Sequence, residues 1–537
     1  MKRMIFLILV GTALTTSAQV VTTSPAVPSA SQPVTITFDV TGTDFATKNL
    51  THVWLWAWLD NGSNDVDAPT NVNPATAAQD AAKVTRSGSN PNLYSITLTA
   101  TTFFNKPVSE IGRVGVLLKG RDWSNGQTAD KFIEFTESFN VGFALPAMSD
   151  FFVNESEPID IVVNTNEAAV IELKIGGDVL VTSVGPATEL YYTHIVAETQ
   201  GSVTITAEAN NGSEVKSASF TYVIRTATIE QPRPQGIIDG INYSGDATKA
   251  TLSLWAPGKT SVYVLGDFND WSVDPDYQMK KDGEDFWLTL AGLESGTEYA
   301  IQYLVDETQK IADPYADKIL DPDDQHIPES TYPNLKSFPD EARSDQWYFN
   351  RLAVLQTGQE PYEWTVNEFD KPAKEELVIY ELLIRDFLGP QHPNYQTLID
   401  TLGYLRRLGI NAIELMPIME FNGNESWGYN PTFLFAPDKY YGTKNDFKAF
   451  VDACHQHGIA VILDIAMNHH DMPNPYVMLD FDFANGKPQA DNKWFNVNAT
   501  HPFNVFFDMN HESAYTKKYL DTVNYYWLNE FKVDAFR

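Results

Sequence analysis

The chain has 537 residues, of which 43% are hydrophobic and 12% aromatic, and its formal net charge is -33. This length predicts several domains, since one domain takes roughly 150 residues. The balance of 70 acidic against 37 basic residues argues against nucleic-acid binding, which needs clustered Lys and Arg. The single cysteine, Cys454, excludes an intrachain disulfide and is expected to be a small buried apolar group.

The first 18 residues have the three ordered parts of a secretory signal peptide. Lys2 and Arg3 form the charged start, residues 4–14 form a short apolar core, and Ala18 ends a run of small residues. No later stretch has the roughly 20 consecutive apolar residues that a transmembrane helix needs. We therefore expect residues 1–18 to be removed and the protein to be exported to the medium, the cell surface or the periplasm.

Three segments of short alternating strands and regular turns follow the signal, and each is predicted to be a β-sandwich. The first covers residues 20–145. The second, residues 146–227, has the strand pattern of an immunoglobulin-like sandwich and is expected to be a spacer. The third, residues 228–345, begins near a linker with two prolines.

The first sandwich contains a strand rich in tryptophan, "THVWLWAWLDNG". Because side chains alternate with period two, Trp54, Trp56 and Trp58 fall on one face of this strand. We favour the sandwich core as the place of this face, since large aromatic side chains dominate cores. An aromatic platform for sugar rings, which would make the domain carbohydrate-binding, is the alternative. Trp123, in a loop-like stretch, is the better candidate for an exposed contact.

Residues 346–537 form the last segment, in which short apolar strands alternate with helical patterns from Glu376 onward. In the first of these helices Leu398, Leu402 and Leu405 fall on one stripe. Four strand units in a row predict a parallel sheet buried on both faces, in a (β/α)₈ barrel or a doubly wound sheet. No glycine-rich phosphate loop follows any strand, which weakens the nucleotide-binding version.

Ionisable side chains follow the third strand of this series, "VILDIAMNHH". In a parallel barrel the catalytic groups lie at the carboxyl ends of the strands, which is where Asp464 is predicted to be. A structural carboxylate satisfied by its neighbours is the alternative. The adjacent His469 and His470 lack the i, i+4 spacing that brings two imidazoles to one metal, so zinc is not predicted.

Two sets of motifs resemble those of a known family. The stretches "VIYELLIRDF", "GINAIELMPIMEF", "WGYNPTFLFAPDKYYGT", "GIAVILDIAMNHH" and "KVDAFR" resemble the first half of the catalytic barrel of glycoside hydrolase family 13, the α-amylase superfamily. The earlier "LWAPGKTSVYVLGDFNDW" and "ADPYA" resemble the sandwich that precedes this barrel in branching enzymes, isoamylases and pullulanases. The implied fold is a set of N-terminal β-sandwich domains followed by the first half of a (β/α)₈ TIM barrel.

The resemblance also implies sugar contacts. In the sandwich of residues 228–345, which is related to glycogen-binding domains, Trp255, Trp271 and Trp287 would be candidates for stacking on sugars, although many relatives bind sugar weakly there or not at all.

In the barrel, Tyr429 would be the aromatic platform under the sugar at the cleavage point, with Trp427 beside it in the same motif. His469 would hydrogen-bond a hydroxyl of that sugar, and Asp464 would fix His469 and its neighbours. Asn468 would match an asparagine that ligates calcium in many α-amylases, so calcium is the one cofactor implied and no organic cofactor is expected.

Arg537 matches the arginine that orients the nucleophile in this family, and its planar charged fork suits that role. In the related form "VDGFRFD" the nucleophile lies two residues later, which would be position 539, on the same face of the strand. A rival alignment makes Asp534 the nucleophile. It puts Lys532 where the family has arginine and leaves Arg537 without a role.

The expected function is retaining hydrolysis of α-1,4 or α-1,6 glucosidic bonds in an α-glucan such as starch, glycogen or pullulan. Export favours hydrolysis of external polymer over a glucan transglycosylase or branching enzyme, and a non-catalytic carbohydrate-binding protein is a further alternative. The barrel segment is shorter than the ~250 residues of a whole barrel. We therefore expect the sequence to be a piece of a longer protein, inactive by itself because the nucleophile is missing.

Overall fold

The structure is a computed structural model. It describes residues 19–60, 65–77, 79–121, 126–147, 151–197, 201–344, 346–387, 394–483 and 485–537. The predicted signal peptide and Trp123 lie outside these residues. No helix within the described ranges is long and apolar enough to cross a membrane. The chain divides into two compact units, one of Met1–Thr226 with Phe483–Asn485 and one of Ala227–Asp482 with Gly486–Arg537.

The first unit begins with a sandwich of two four-stranded sheets, with strand orders β1-β2-β6-β5 and β4-β3-β7-β8. Its strands are β1 (Val20–Ser24), β2 (Pro33–Asp39), β3 (Val53–Leu59), β4 (Val66–Asp67), β5 (Thr85–Arg86), β6 (Leu93–Thr99), β7 (Arg113–Gly120) and β8 (Lys131–Glu134). Three short helices connect them, α1 (Asp44–Thr47), α2 (Pro74–Ala77) and α3 (Ala100–Phe104). The two-sheet architecture confirms the predicted sandwich.

The tryptophans of β3 lie on the outer face of their sheet, so the favoured prediction that this face forms the core is wrong. The core side of β3 carries Val53, Leu55, Ala57 and Leu59, which pack against the other sheet. The strand "VWLWAWL" is apolar on both faces. For this reason its period-two pattern identifies the two faces but not which one is inside.

The second sandwich is organised around one long strand, β11, whose first half pairs with β9 and β13 and whose second half pairs with β12 and β14. Its strands are β9 (Val141–Leu145), β10 (Phe151–Val153), β11 (Pro158–Ile175), β12 (Asp178–Thr182), β13 (Ala187–Ile195), β14 (Gly201–Asn210) and β15 (Val215–Ile224). Because β9 belongs to this network, the second domain begins before Val141, earlier than the predicted boundary after residue 145.

The second unit opens with the third sandwich, whose sheets have the orders β16-β17-β20-β19 and β18-β21-β24-β23, with β22 paired to β21. The strands are β16 (Gly240–Tyr243), β17 (Lys249–Trp255), β18 (Val262–Gly266), β19 (Lys280–Asp282), β20 (Asp285–Ala291), β21 (Glu298–Val305), β22 (Gln309–Ile311), β23 (Ile319–Leu320) and β24 (Leu352–Gln356). Since β24 pairs with β21 and β23, the sandwich continues past the predicted boundary at residue 345.

A four-stranded parallel sheet of order β25-β26-β29-β34 forms the centre of the remaining segment. Its strands are β25 (Ile379–Leu382), β26 (Ala412–Leu415), β29 (Ala460–Leu463) and β34 (Ala535–Phe536), and the main helices between them are α5 (Tyr395–Arg407), α6 (Lys444–Gln456) and α8 (Ala514–Glu530). Strands adjacent in sequence are adjacent in the sheet. A doubly wound sheet instead reverses its strand order, so the sequential order confirms the first half of a (β/α)₈ barrel.

Short elements lie in the connections. They are α4 (Ile384–Phe387), β27 (Met419–Phe421), β28 (Pro431–Pro437), β30 (His469–His470), α7 (Pro475–Leu479), β31 (Phe481–Asp482), β32 (Lys487–Pro488) and β33 (Phe507–Asp508). The predicted stripe of Leu398, Leu402 and Leu405 is buried on α5. A reciprocal Thr443–Asp446 capping box begins α6 and satisfies backbone donors that a helix start leaves free.

The third sandwich contains a buried carboxyl group in its "ADPYA" turn. Asp313 accepts hydrogen bonds from the Tyr303 hydroxyl at 2.6 Å and from the backbone N–H of Tyr315 at 2.7 Å. Burial raises the pKa of Asp313 from 3.8 to about 6, because removal from water disfavours the charged form. The folded state therefore holds a proton on this group more tightly than the unfolded state does.

We expect Asp313→Asn to reveal this linkage. The favourable contribution of the raised pKa is complete below about pH 4 and is lost as the pH rises through about 6. The free energy of unfolding of the wild type, minus that of the variant, should fall by roughly 2 kcal/mol from pH 4 to pH 7. Urea unfolding at a series of pH values measures it, and a difference that is constant or rises with pH would contradict the prediction.

Candidate active site

The register of the parallel sheet brings ionisable side chains from four strands to one face. Glu381 of β25 pairs with Glu414 of β26, and Glu414 pairs with Ile462 of β29. Ile462 in turn pairs with Ala535 of β34. Because side chains alternate with period two, Asp464 and Arg537 lie on this same face, two residues beyond Ile462 and Ala535.

Asp464, Tyr429 and Arg537 form one hydrogen-bonded cluster at the carboxyl ends of these strands. The Asp464 Oδ2 atom accepts from both the Tyr429 hydroxyl and the Arg537 guanidinium, and the guanidinium also donates to the Tyr429 oxygen at 3.1 Å. Partial burial and the bond to Asp464 raise the pKa of Tyr429 to about 12. The phenol is therefore a stable donor to the carboxylate at neutral pH.

Two further carboxylates, Glu381 and Glu414, complete the cluster, and the sequence analysis did not single them out. Oxygen atoms of Glu381, Glu414 and Asp464 lie within 4.8 Å of one another. Desolvation, together with the charge of Glu381, raises the pKa of Glu414, whereas the charge of Arg537 lowers it; the Arg537 Nε atom lies 3.5 Å from Glu414. An acidic residue inside an apolar strand, in "YELL" and again in "AIELMP", was the signal that could have found both.

The loop before β28 positions Tyr429. Gly428 has a φ of +85°, and a Cβ on it would overlap the carbonyl of Pro417, two residues after β26. Only glycine fits so close a backbone approach at this φ. His469 then donates from Nε2 to the Tyr429 carbonyl at 2.7 Å. The imidazole predicted to contact the sugar therefore also fixes the backbone of the predicted sugar platform.

The other predicted site residues lie apart from this hydrogen-bonded cluster. The Trp427 side chain is 62% exposed, two residues before Tyr429. Asp534 is buried, with its side chain 4% exposed, and accepts from His455 of α6 at 2.9 Å and from the Val461 N–H at 2.8 Å. Asp534 is thus bound to the helix that covers the outside of the sheet, whereas Asp464 and Arg537 share the inner face.

Asn468 lies outside the group of carboxylates that could hold a cation. Its side chain is exposed, and its backbone carbonyl accepts from the Met509 N–H at 2.9 Å. Among the residues that the structure describes, the one group of three metal-ligating side chains is Glu381, Glu414 and Asp464, and it does not include Asn468. Calcium at Asn468 stays a prediction of the resemblance.

The three tryptophans singled out in the third sandwich are engaged within the protein. Trp255 stacks on Tyr515 of α8 at 4.3 Å between ring centroids. Trp287 is buried and donates from Nε1 to the Gln231 carbonyl at 2.9 Å. Trp271 is half-buried, and its Nε1 atom donates to Asp267 at 3.2 Å. These contacts favour a packing role for Trp255 and Trp287.

Two family models match the chain. The model of the α-amylase catalytic domain matches residues 379–534, and the model of carbohydrate-binding module 48, the isoamylase N-terminal domain, matches residues 240–316. They cover three of the four strands of the parallel sheet, β25, β26 and β29, and most of the third sandwich. In this chain a sandwich that matches carbohydrate-binding module 48 is therefore followed by a segment that matches the α-amylase catalytic domain and has the sheet of its barrel. The matches confirm, over these two segments, the predicted resemblance to glycoside hydrolase family 13, the α-amylase superfamily.

Curated relatives match over about half of the chain. A malto-oligosyltrehalose trehalohydrolase from Saccharolobus solfataricus is 29% identical over 299 residues, 55% of this chain and 44% of that protein. A 1,4-α-glucan branching enzyme from Shewanella baltica is 30% identical over 294 residues, 53% of this chain and 36% of that protein. One from Nitrosomonas eutropha is 31% identical over 301 residues, 54% of this chain and 37% of that protein. The chain thus spans less than half the length of these relatives.

The contacts of Asp534 predict that it stabilises the fold. In Asp534→Asn the side chain loses the charge that His455 and the Val461 N–H face, so the free energy of unfolding should fall by about 2 kcal/mol. Asp370→Asn, at an exposed carboxylate, is the matched control and should change it by less than about 0.5 kcal/mol. Urea unfolding measures both. Equal midpoints for wild type and Asp534→Asn would contradict a structural role.

Proposed function

We propose that the whole protein acts on α-1,4 or α-1,6 glucosidic bonds of an α-glucan and hydrolyses them with retention of configuration. The cluster of Asp464, Tyr429 and Arg537 at the carboxyl ends of parallel strands is the observation that carries this proposal. Catalytic groups of barrel enzymes lie at this end of the barrel. The match to the α-amylase catalytic domain and the α-glucan named in the branching-enzyme relatives support the substrate class.

Within this proposal, Tyr429 and Trp427 contact the sugar rings, and Asp464 holds Tyr429 and Arg537 in place. A guanidinium that is fixed by carboxylates on two strands has little freedom to turn. The N–H groups of Arg537 that are not bound to these carboxylates therefore point in a defined direction. They can hydrogen-bond an attacking carboxylate and hold it in the orientation that attack requires.

The attacking carboxylate is proposed to be an aspartate at position 539 of the whole protein, two residues beyond Arg537. Period-two alternation along the strand would put it on the same face as Arg537 and Asp464. Retention further requires an acid about 5 Å from this nucleophile, to protonate the leaving oxygen. Asp534 is unsuited to attack because it is buried against α6.

Glucan transfer is the second candidate function, and the branching-enzyme relatives favour it. Hydrolysis and transfer share the first half of a retaining reaction, in which a covalent glycosyl-enzyme forms. They differ in whether water or a sugar hydroxyl completes it. The described cluster serves both, so the products decide between them.

Activity of the whole protein on soluble starch tests the proposal. Asp464→Asn keeps the shape of the side chain but removes the charge that pairs with Arg537, so kcat/KM should fall by about 10²-fold. New reducing ends in the wild-type products indicate hydrolysis, whereas redistributed chain lengths without new ends indicate transfer.

Asp521→Asn, at an exposed carboxylate on α8, is the control and should retain wild-type activity. A wild-type protein that leaves starch unchanged would overturn the proposed function. Full activity in Asp464→Asn would overturn the role given to the cluster.

We also propose that the protein is exported. The charged residues Lys2 and Arg3, the apolar residues 4–14 and the small residues before Gln19 support this. N-terminal sequencing of the protein made by its native cell should therefore give Gln19 as the first residue. A protein that keeps Met1 to Ala18 and stays inside the cell would contradict export.

A further inference from the structure

The outer face of the first sandwich exposes a row of aromatic side chains. Trp56 and Trp58 of β3 are half-buried on this face, opposite the core side of the strand. Phe132 of β8, on the same sheet, is 44% exposed and meets the Trp58 ring edge-on at 6.0 Å. Monomeric proteins seldom expose contiguous large aromatic groups, and such patches mark binding sites.

The Trp58 ring packs against a glycine of the neighbouring strand. Gly115 of β7 pairs with Trp58 across the sheet, and a Cβ on Gly115 would overlap the indole ring. The ring therefore lies directly on the backbone of β7, in the space that any other residue would fill. A tryptophan held in this way has lost little freedom that binding would otherwise have to remove.

Polar side chains surround the aromatic rings and line, with them, an open cavity of about 520 Å³. This volume is within the ~300–1,000 Å³ of small-ligand sites. Four carboxylates line the cavity, together with the side chains of Lys119 and Gln127. The carboxylates are those of Asp60, Asp65, Asp67 and Asp130. Aromatic faces with hydrogen-bonding groups at their edges match a sugar, which has an apolar face and a rim of hydroxyls.

The charges of the cavity favour a neutral ligand. Asp60 is paired with Arg113 at 2.9 Å, and the other three carboxylates would repel an anion. A cation would have to approach the ammonium of Lys119, which is buried and already lies 3.9 Å from the centre of the Trp56 ring. Sugar hydroxyls carry no charge, so neither the carboxylates nor Lys119 would repel them, and they can donate hydrogen bonds to the carboxylates.

We infer that the first sandwich binds an α-glucan chain on this face, with a glucose ring stacked on Trp58 and its hydroxyls donating to the surrounding carboxylates. The choice of α-glucan rests on the proposed function, since a site on the same chain as an α-glucan-active barrel would hold the polymer near it. The inferred site lies in the first unit of the chain, whereas the candidate active site lies in the second, so the two are separate sites.

Retention on insoluble starch, measured with the whole protein, tests this inference. Trp58→Ala should weaken binding to starch granules at least about tenfold, whereas kcat/KM on soluble maltoheptaose should stay at the wild-type value. Phe132→Ala, at an exposed position where a folding defect is not expected, should weaken granule binding in the same direction. Trp347→Ala, at a tryptophan that is 52% exposed in the second unit, is the matched control and should bind like the wild type.

Granule binding tests the inferred binding site, and turnover of maltoheptaose tests the proposed function. If the wild type turns over maltoheptaose but both variants bind granules as well as it does, the inferred site is wrong and the proposed function stands. Wild-type protein that leaves maltoheptaose unchanged would overturn the proposed function instead. Preferential, Trp58-dependent retention on cellulose would overturn the assignment to α-glucan. Thermal unfolding of each variant shows whether a loss of binding reflects a loss of fold. If Trp58→Ala is unfolded, the binding of Phe132→Ala to granules tests the inferred site instead.

Discussion

The contact between Arg537 and Asp464 organises the candidate active site, because it joins two neighbouring parallel strands at their carboxyl ends. Several other features depend on it. The Tyr429 hydroxyl donates to the same Asp464 oxygen as Arg537 does. The Nε atom of Arg537 lies 3.5 Å from a carboxylate oxygen of Glu414, on a third strand. The positive charge of Arg537 thus lies beside the negative charges of Asp464 and Glu414. Charged groups that are partly removed from water are stable only when they are paired in this way.

Packing within the second unit supports this site from outside. Lys439 is buried, and its ammonium lies 3.3 Å from Asp324 of the third sandwich and 2.5 Å from Glu420 of β27. Trp255, at the end of β17, stacks on Tyr515 of α8. Buried charge pairs of this kind are costly to separate. The third sandwich therefore holds the helices and loops of the barrel segment in place, whatever its own affinity for sugar.

Much of this architecture could be predicted from the sequence, and the exceptions have physical causes. The barrel strands and helices followed from apolar runs and helical stripes, and the resemblance directed attention to Asp464, Tyr429 and Arg537. The inward face of β3 could not be predicted, because both of its faces are apolar. Glu381 and Glu414 were missed because the contact between them exists only in the sheet register. The surroundings of Asp534 could not be predicted either, since His455 lies far away in sequence.

Covalent trapping of the whole protein tests the role of Arg537 most directly. A fluorinated α-glucosyl fluoride that forms the glycosyl-enzyme quickly and loses it slowly would label the nucleophile, and peptide mass spectrometry would locate the adduct. If Arg537 orients the nucleophile, the glucosyl group should be on an aspartate two residues beyond it, and Asp464→Asn should slow the labelling. An adduct on Asp534 would contradict this arrangement.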